Sequence, residues 1–555
     1  MRKILLVFLI LISALAQAQL KNFKGMQMRS IGPAVTSGRV TAIDVNMKQG
    51  ILYVGSASGG LWKSESWGTQ WTPIFDDQPV SSIGAVKVSR THPDIVWAGT
   101  GEGNPRNSQT SGRGIFQSRD AGKTWKCMGL EETKTIHRIC MDANDNVYAA
   151  AMGSAWGPNP DRGVFYYNAT SGQWKKILFV NDSTGCADLV MDPLNDQKLF
   201  AAMWQYERKP WNFNSGGKGS GLHMTMDGGT TWKRLGEKEG LPKGSWGRVG
   251  IAIAPSNSRV VYAMIEAKVT ALYKSEDGGA NWKMVTDKGV GDRPFYYSEF
   301  YVDPSNENHL IYLHSIVSES IDGGKNWTTM LPYYGVHPDH HALWWNPINP
   351  MEIWEGNDGG LNVSRDGGKN WEFIPNLPLG QFYHINYDLQ VPYHVYGGLQ
   401  DNGTWKGPAY VWHSDGILDS DWQELYFGDG FDAIPDASED NWVYVLSQGG
   451  NLARVNAETG AEQSIQPVHP DGIPLRFNWN SAISDQPNAD QSAIYIGSQF
   501  VHYSKNHGQS WEIISPDLTT NDTLRQKAYK SGGLTTDATS AENYCTVLCI
   551  VPQCQ

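Results

Sequence analysis

Ser118-Arg119-Asp120-Ala121-Gly122-Lys123-Thr124-Trp125 is the stretch that decides the fold, because it recurs. The pattern Ser/Thr-x-Asp-x-Gly-x-x-Trp returns at Thr225-Asp227-Gly229-Trp232, Ser275-Asp277-Gly279-Trp282, Ser320-Asp322-Gly324-Trp327 and Ser364-Asp366-Gly368-Trp371. Two near copies flank these. Ser64-Ser66-Gly68-Trp71 lacks the Asp, and Ser504-Asn506-Gly508-Trp511 carries Asn in its place. Each position has a mechanical role in a hairpin. The Asp carboxylate accepts backbone N–H bonds within the turn. The Gly takes a conformation that other residues resist. The Trp opens the next strand and buries a large ring between neighbouring sheets.

Successive starts from Ser118 to Ser504 lie 107, 50, 45, 44 and 140 residues apart. The first gap fits two repeats, with a degenerate hairpin from Tyr167 to Trp174 between them; the last fits three, with poor copies near Trp405 and at Asn456-Ala457-Glu458-Thr459-Gly460. A period of about 40–50 residues is that of a four-stranded propeller blade. The first repeat predicts strands at Val40 to Val45, Ile51 to Gly55, Gly60 to Ser64 and Trp71 to Phe75, and similar first strands recur at Arg248 to Ala254, Tyr297 to Val302 and Ala342 to Asn346. The expected fold is therefore an all-β propeller of ten blades, followed by Cys545 to Pro552 as the first strand of an eleventh. The expected organisation is a seven-bladed N-terminal propeller over 19–378 and an incomplete second propeller over 379–555, as in a truncated longer protein, with Phe23 to Ile31 supplying an outer strand. The alternative is a single ten-bladed ring.

The bulk numbers agree with repeats. The chain has 555 residues, too many for one ordinary core, with 60 Gly, 23 Trp and 24 Tyr but only 18% charged residues. Residues 1–18 predict a secretory signal: Arg2 and Lys3, the apolar run Ile4 to Ile12, and the small-x-small site Ala16-Gln17-Ala18 with cleavage after Ala18. That run is too short for a stable membrane span. A secreted, periplasmic or cell-surface protein is expected. The net charge of −12, about −14 without Arg2 and Lys3, argues against nucleic acid and anionic membrane as partners. Neither Cys127, Cys140 and Cys186 nor Cys545, Cys549 and Cys554 shows zinc spacing, and no cofactor is expected.

In such a blade the loops joining strands two and three, and four and the next blade, share one face. The repeated turn lies on the other, so its Asp is structural and the candidate site belongs to the opposite loops. These include Gly99-Thr100-Gly101-Glu102-Gly103-Asn104, Gly153-Ser154-Ala155-Trp156-Gly157, Gly356-Asn357-Asp358-Gly359-Gly360 and Gly397-Gly398-Leu399-Gln400-Asp401-Asn402-Gly403. The fourth-blade loop carries Trp204, Tyr206, Arg208, Trp211 and Phe213; polar groups beside flat rings suit a sugar or a peptide, or simply shape the turn. In His337-Pro338-Asp339-His340-His341, the residues His337, Asp339 and His341 share a face if the segment is extended. Three such groups can bind a metal. Such residues more often bond loop backbone, and a ligand-facing role without metal is expected.

The repeated turn occurs in sialidases, in the Vps10 domain of sortilin-type receptors and in the xyloglucanases of glycoside hydrolase family 74. Three longer stretches narrow the likeness: Trp211 to Gly217, His337 to Trp345 running on to Gly360, and Gly398 to Gly403. With Arg29-Ser30-Ile31-Gly32-Pro33, the mature chain resembles, over nearly its whole length, large secreted bacterial Asp-box (BNR) repeat proteins of the sortilin/Vps10-like and family 74-like type. The Arg29 to Pro33 stretch does not match the Phe/Tyr-Arg-Ile-Pro motif of sialidases. The xyloglucanase resemblance implies two propellers around a cleft, with a catalytic Asp in the two–three loop of the first blade of each. It puts Asp401 at the acid position and Ala57 at the base position, and Ala57 cannot accept a proton. Inverting hydrolysis needs two carboxyl groups, so Asp358 and Glu102 are the candidate partners. The candidate ligand-binding residues are Trp204, Tyr206, Arg208, Trp211, His337, Asp339, His341, Gln400 and Asn402. The sortilin resemblance implies instead a ten-bladed ring binding peptides in its tunnel. Two functions stand open: a glycan-binding, hydrolase-like protein with weak or lost hydrolysis, acting on polysaccharide or oligosaccharide, and a non-catalytic propeller for an extracellular peptide or protein.

Overall fold

The repeated turn builds the sheets. At Ser320 to Trp327, the Ser320 hydroxyl donates to Asp322 Oδ1 at 2.9 Å, and the Gly324 N–H donates back to Ser320 Oγ at 2.9 Å. The Asn326 backbone and side-chain amides donate to the two Asp322 carboxylate oxygens at 3.0 and 2.7 Å. Gly324 has φ 87°, where a side chain is strained. The indole of Trp327 donates to the Gly324 carbonyl at 3.1 Å. The near copies make the same turn without a carboxylate: Ser66 Oγ takes the Gln70 N–H at 2.8 Å, and Asn506 Oδ1 takes the Ser510 N–H at 3.0 Å.

Hydrogen bonds from the residue four positions on hold the Asp227, Asp277, Asp322 and Asp366 carboxyls down at about 2. Their folded values lie below the ordinary one. The stability they contribute is therefore present above the usual carboxylate range and is lost as pH falls through about 2. Thermal melts followed by tryptophan fluorescence should show a melting temperature that drops steadily between pH 4 and 2. A melting temperature flat across that window would contradict this account of the turns.

The structure, a computed structural model, describes residues 29–32, 37–105, 108–486 and 493–553. It is all-β with short 3₁₀ turns, and no α-helix occurs among the described residues. Among the described residues ten sheets follow one another, antiparallel but for one pair in the fourth, their first strands beginning at Val40, Ile83, Ile136, Thr184, Val249, Phe300, His340, Phe382, Gly430 and Ile483. Nine are four-stranded meanders in sequence order; the fourth is enlarged. Inner strands such as Ile51–Ser56 are buried throughout, whereas outer strands such as Thr72–Pro73 are exposed.

Consecutive sheets share apolar cores. Ala42, Tyr53 and Phe75 of the first pack against Ile83, Ala98 and Phe116 of the second. The seventh sheet then packs on the first, through Trp354, Leu361 and Val363 against Val40, Leu52 and Val54. One glycine contact shows that the junction is equivalent to the others. A methyl group on Gly55 would lie 2.5 Å from Ile83, one on Gly99 would lie 2.7 Å from Ile136, and one on Gly356 would lie 2.4 Å from Val40. The seventh sheet thus meets the first as consecutive sheets meet one another, so that the contacts run round in a circuit. The eighth to tenth pack on one another through Tyr396, Val443 and Val445, and through Phe431, Leu446 and Ile494. Beyond them Val547 sits against Gly497 and donates its N–H to the Ser498 carbonyl at 2.7 Å, although residues 545–552 form no strand.

Two of the connections between the circuit and the later sheets lie outside the carboxylate loops. Ile31 packs with Leu399, Trp405 and Trp422, and the Trp422 indole donates to the Ile31 carbonyl at 2.7 Å. Arg29 to Gly32 form no strand, and Phe23 to Met28, like residues 1–18, lie outside the described residues. The second connection is an arm of the fourth sheet. Its strand Asn195–Lys209 runs past the sheet, returns as Asn212–Ser215, and pairs in parallel with Gly532–Gly533. No helix among the described residues is long and apolar enough to cross a membrane.

Candidate functional site

Arg39 enters the first strand of the first sheet, and its side chain is 1% exposed. Its Nε and Nη2 donate to the two oxygens of Asp358 at 2.6 and 2.7 Å, a bidentate pair. Nη1 pairs with Glu102, and Nη2 lies 3.4 Å from Asp401 Oδ2. One guanidinium therefore gathers three candidate carboxylates from the second, seventh and eighth sheets. Sequence reasoning missed Arg39, whose only signal was indirect: loops rich in carboxylates need a cation if they converge out of water.

The three carboxylates differ in state. Burial pushes Asp358 up, but the Arg39 charge and His341, whose Nε2 lies 2.7 Å away, outweigh it and hold Asp358 well below the ordinary range. Burial raises Glu102 despite Arg39. Burial also lifts Asp401 well above the ordinary range, with the Asp358 and Asp429 charges adding to it and Arg39 opposing. Asp358 and Glu102 are sealed from solvent, whereas the Asp401 side chain is 29% exposed. Asp358 and Glu102 thus face Arg39 with almost no exposure to solvent, although Asp358 borders the cavity beside Asp401.

Asp401 is gripped through its backbone. It has φ 61°, unusual for a residue with a side chain. Its N–H donates to Asp429 Oδ1 at 2.6 Å, and His337 Nε2 lies 3.1 Å from its carbonyl oxygen. Asp429 in turn accepts the Trp479 indole N–H at 2.7 Å. A cavity of about 40 Å³ opens beside Asp401, lined also by Asp339, Asp358, Asp429, Tyr383 and Ala541. That is room for about one water. Ala57 is buried, its N–H bonded to the Arg39 carbonyl at 2.9 Å.

The expected ligand-facing residues divide. Gln400 and Asn402 are buried supports: Gln400 Oε1 accepts from Ser108 and Gln381 at 2.8 Å each, and Asn402 donates to the Asp358 carbonyl at 2.9 Å. His341 is buried between Asp358 and Asn104. Asp339 is half-buried, has φ 66°, and accepts the Tyr297 hydroxyl. His337, Asp339 and His341 thus turn to different partners rather than to one point, and no group of three ligating side chains among the described residues could hold a metal.

The arm residues pack against other parts of the chain. Trp204 and Tyr206 are buried and stacked on each other at 4.3 Å. Arg208 is buried and pairs with Glu542 at 2.9 Å. Trp211 packs on Tyr544 with Arg525 over its ring at 4.3 Å. Arg208 and Trp211 thus hold residues 525–544 against the arm.

A second charged cluster lies inside the circuit. Glu299 accepts from Arg138 at 2.9 Å, His137 at 3.0 Å and Arg248 at 3.3 Å, and is held well below the ordinary range: burial opposes this and Arg138 outweighs it. Burial pushes His137 down to about 3, so it stays neutral. Asn104 links this cluster to His341 at 2.7 Å.

No family model matches the chain. It is 24% identical over 236 residues to a xyloglucanase of a Paenibacillus species, covering 38% of this chain and 22% of that one. It is 26% identical over 228 residues to the xyloglucanase Xgh74A of Acetivibrio thermocellus, covering 37% and 26%. The match thus spans about a quarter of the length of these curated relatives. Among solved structures, the GH74 xyloglucanase from Xanthomonas campestris aligns with a TM-score of 0.52 at 15% identity, covering 89% of this chain and 82% of that one. That likeness, with ten successive sheets, shows that the chain has the β-propeller fold.

Proposed function

We propose that this is a secreted, glycan-binding propeller of the glycoside-hydrolase type. In this reading, residues up to about 378 form a seven-bladed propeller, the later blades belong to a second one, and polysaccharide binds where the two meet at Asp401. One observation carries it. Asp401 is a partly exposed carboxyl group at the junction between the first circuit and the eighth sheet, in contact with Arg39 and beside Asp339 and Asp429, and burial with the Asp358 and Asp429 charges raises it above the ordinary carboxylate range. A carboxyl group that holds its proton more tightly than an ordinary one suits the protonation of a glycosidic oxygen. The likeness to xyloglucanases makes a β-glucan with side branches, xyloglucan foremost, the polysaccharide to test.

A specific observation favours a second reading, a non-catalytic binder of peptide or protein: the cavity at Asp401, about 40 Å³, is too small for a sugar ring. A screen of xyloglucan, cellulose, mixed-linkage glucan and arabinoxylan separates the two. Affinity electrophoresis reads binding, and reducing-end release reads hydrolysis. Retardation by xyloglucan with measurable release is the expected result. Neither retardation nor release on any polysaccharide would favour the peptide reading.

A further inference from the structure

We propose that Asp339 is the second catalytic carboxylate of the Asp401 cleft, the group that takes the proton from the attacking water. The inference rests on the hydrolytic reading above and names its missing base.

Among the described residues, five carboxylates belong to this cleft, and four are already committed. Asp358 and Glu102 are sealed and bound to Arg39. Asp429 is buried, with one oxygen taking the Asp401 N–H and the other the Trp479 indole. Asp401 is the acid. Asp339 lines the same cavity, is partly exposed, and meets a hydroxyl rather than a cation through its carboxylate, from Tyr297. Its frame is rigid. The Asp339 N–H donates to the Ser315 carbonyl at 3.3 Å, and its carbonyl accepts the Asp358 N–H at 3.1 Å. The Tyr297 ring is in turn flanked by the Arg293 guanidinium at 5.5 Å, and Arg293 is itself anchored on Asp537 at 2.7 Å. Asp339 and Asp401 also share a backbone feature absent from the other three carboxylates, a left-handed φ of 66° and 61°. Such conformations persist where the surrounding structure enforces them, and they gather at functional sites.

The step is balanced without a further reagent. Water attacks the anomeric carbon as the bond to the leaving oxygen breaks. The Asp339 carboxylate takes one water proton, and the Asp401 carboxyl gives its proton to the leaving oxygen. Exchange with solvent resets both groups.

The test uses the full chain with two substrates: xyloglucan, and an aryl β-cellotrioside whose leaving group needs no acid. Asp339→Asn should lower kcat on both by about 100-fold or more, with KM changed little. Azide should restore turnover and yield a glycosyl azide, because the anion replaces the activated water. Asp401→Asn should recover on the aryl substrate without azide. If Asp339→Asn stays within tenfold of wild type while Asp401→Asn is inactive on xyloglucan, the role of Asp339 is overturned and the hydrolytic reading stands. If the wild type hydrolyses neither substrate, both fall together. Should Asp339→Asn melt early, Tyr297→Phe keeps the carboxylate and is expected to lose about tenfold in kcat; an unchanged kcat there also counts against the proposal.

Discussion

Arg39→Ala is expected to destabilise the protein by about 3–5 kcal/mol, the cost typical of removing one partner from a buried ion pair. The substitution leaves Asp358 and Glu102 buried with their cation gone and Asp401 beside them. His341 touches Asp358 and offsets part of the loss, but it reaches neither Glu102 nor the second Asp358 oxygen by any described bond. The variant should also acquire a pH dependence of a stated sign. Without Arg39 the buried carboxyls favour their neutral forms, so their folded values rise above the unfolded ones. Stability is then lost as pH rises, and urea unfolding should show a smaller deficit at pH 5 than at pH 8. Arg39→Lys should recover only part, because an ammonium cannot reproduce the bidentate pair. A variant within 1 kcal/mol of wild type at pH 8 would show that water, not the guanidinium, balances these charges.

Asp401→Asn should lower hydrolysis of xyloglucan by about 10²–10⁴-fold, the usual contribution of a positioned general acid. Asn keeps the volume and the backbone clamp but has no proton to give. The pH profile supplies an independent check. In the wild type the Asp401 proton survives above the ordinary carboxylate range, so activity should fall as pH rises through that elevated value. The Asp429 charge helps to keep the proton there, while its Oδ1 holds the Asp401 N–H. Asp429→Asn removes the charge and retains an acceptor, so the alkaline limb should move to lower pH with the protein still folded. An alkaline limb that stays in place would assign it to another group. For stability, Asp401 and Asp358 act in opposite senses. Deprotonating Asp401 disfavours the fold as pH rises, whereas Asp358 stabilises it above the ordinary carboxylate range and loses that contribution as pH falls through its depressed value.

The sheets were legible because their signal is repeated and local. A Ser hydroxyl, an Asp carboxylate and a positive-φ Gly within five residues make the same hairpin wherever they stand, and even the near copies at Ser66 and Asn506 fold alike. The carboxylate loops were legible for a similar reason, since Gly-rich segments with one acid stand out against apolar strands. What could not be read was who covers whom. Trp204 and Tyr206 look like exposed rings in sequence but are packed among Phe213, Phe295 and Tyr297, and Trp211 is met by Arg525 and Tyr544 from more than 300 positions away. Arg39 has no pattern around it, since a lone cation before an apolar strand reads like any other. Its meaning comes entirely from Glu102, Asp358 and Asp401, which only the ring brings near.

The position of Arg39 has a consequence for how the chain matures. Arg39 and Asp358 are 319 residues apart in sequence and flank the contact of Val40 with Gly356 that closes the circuit. During synthesis from the N-terminus, Glu102 can meet the guanidinium early, but Asp358 can do so only after the seventh blade has docked on the first. The Arg39 ion pairs are therefore complete only once the seventh sheet has met the first, so the same contact that joins the two ends of the circuit also balances its buried charge.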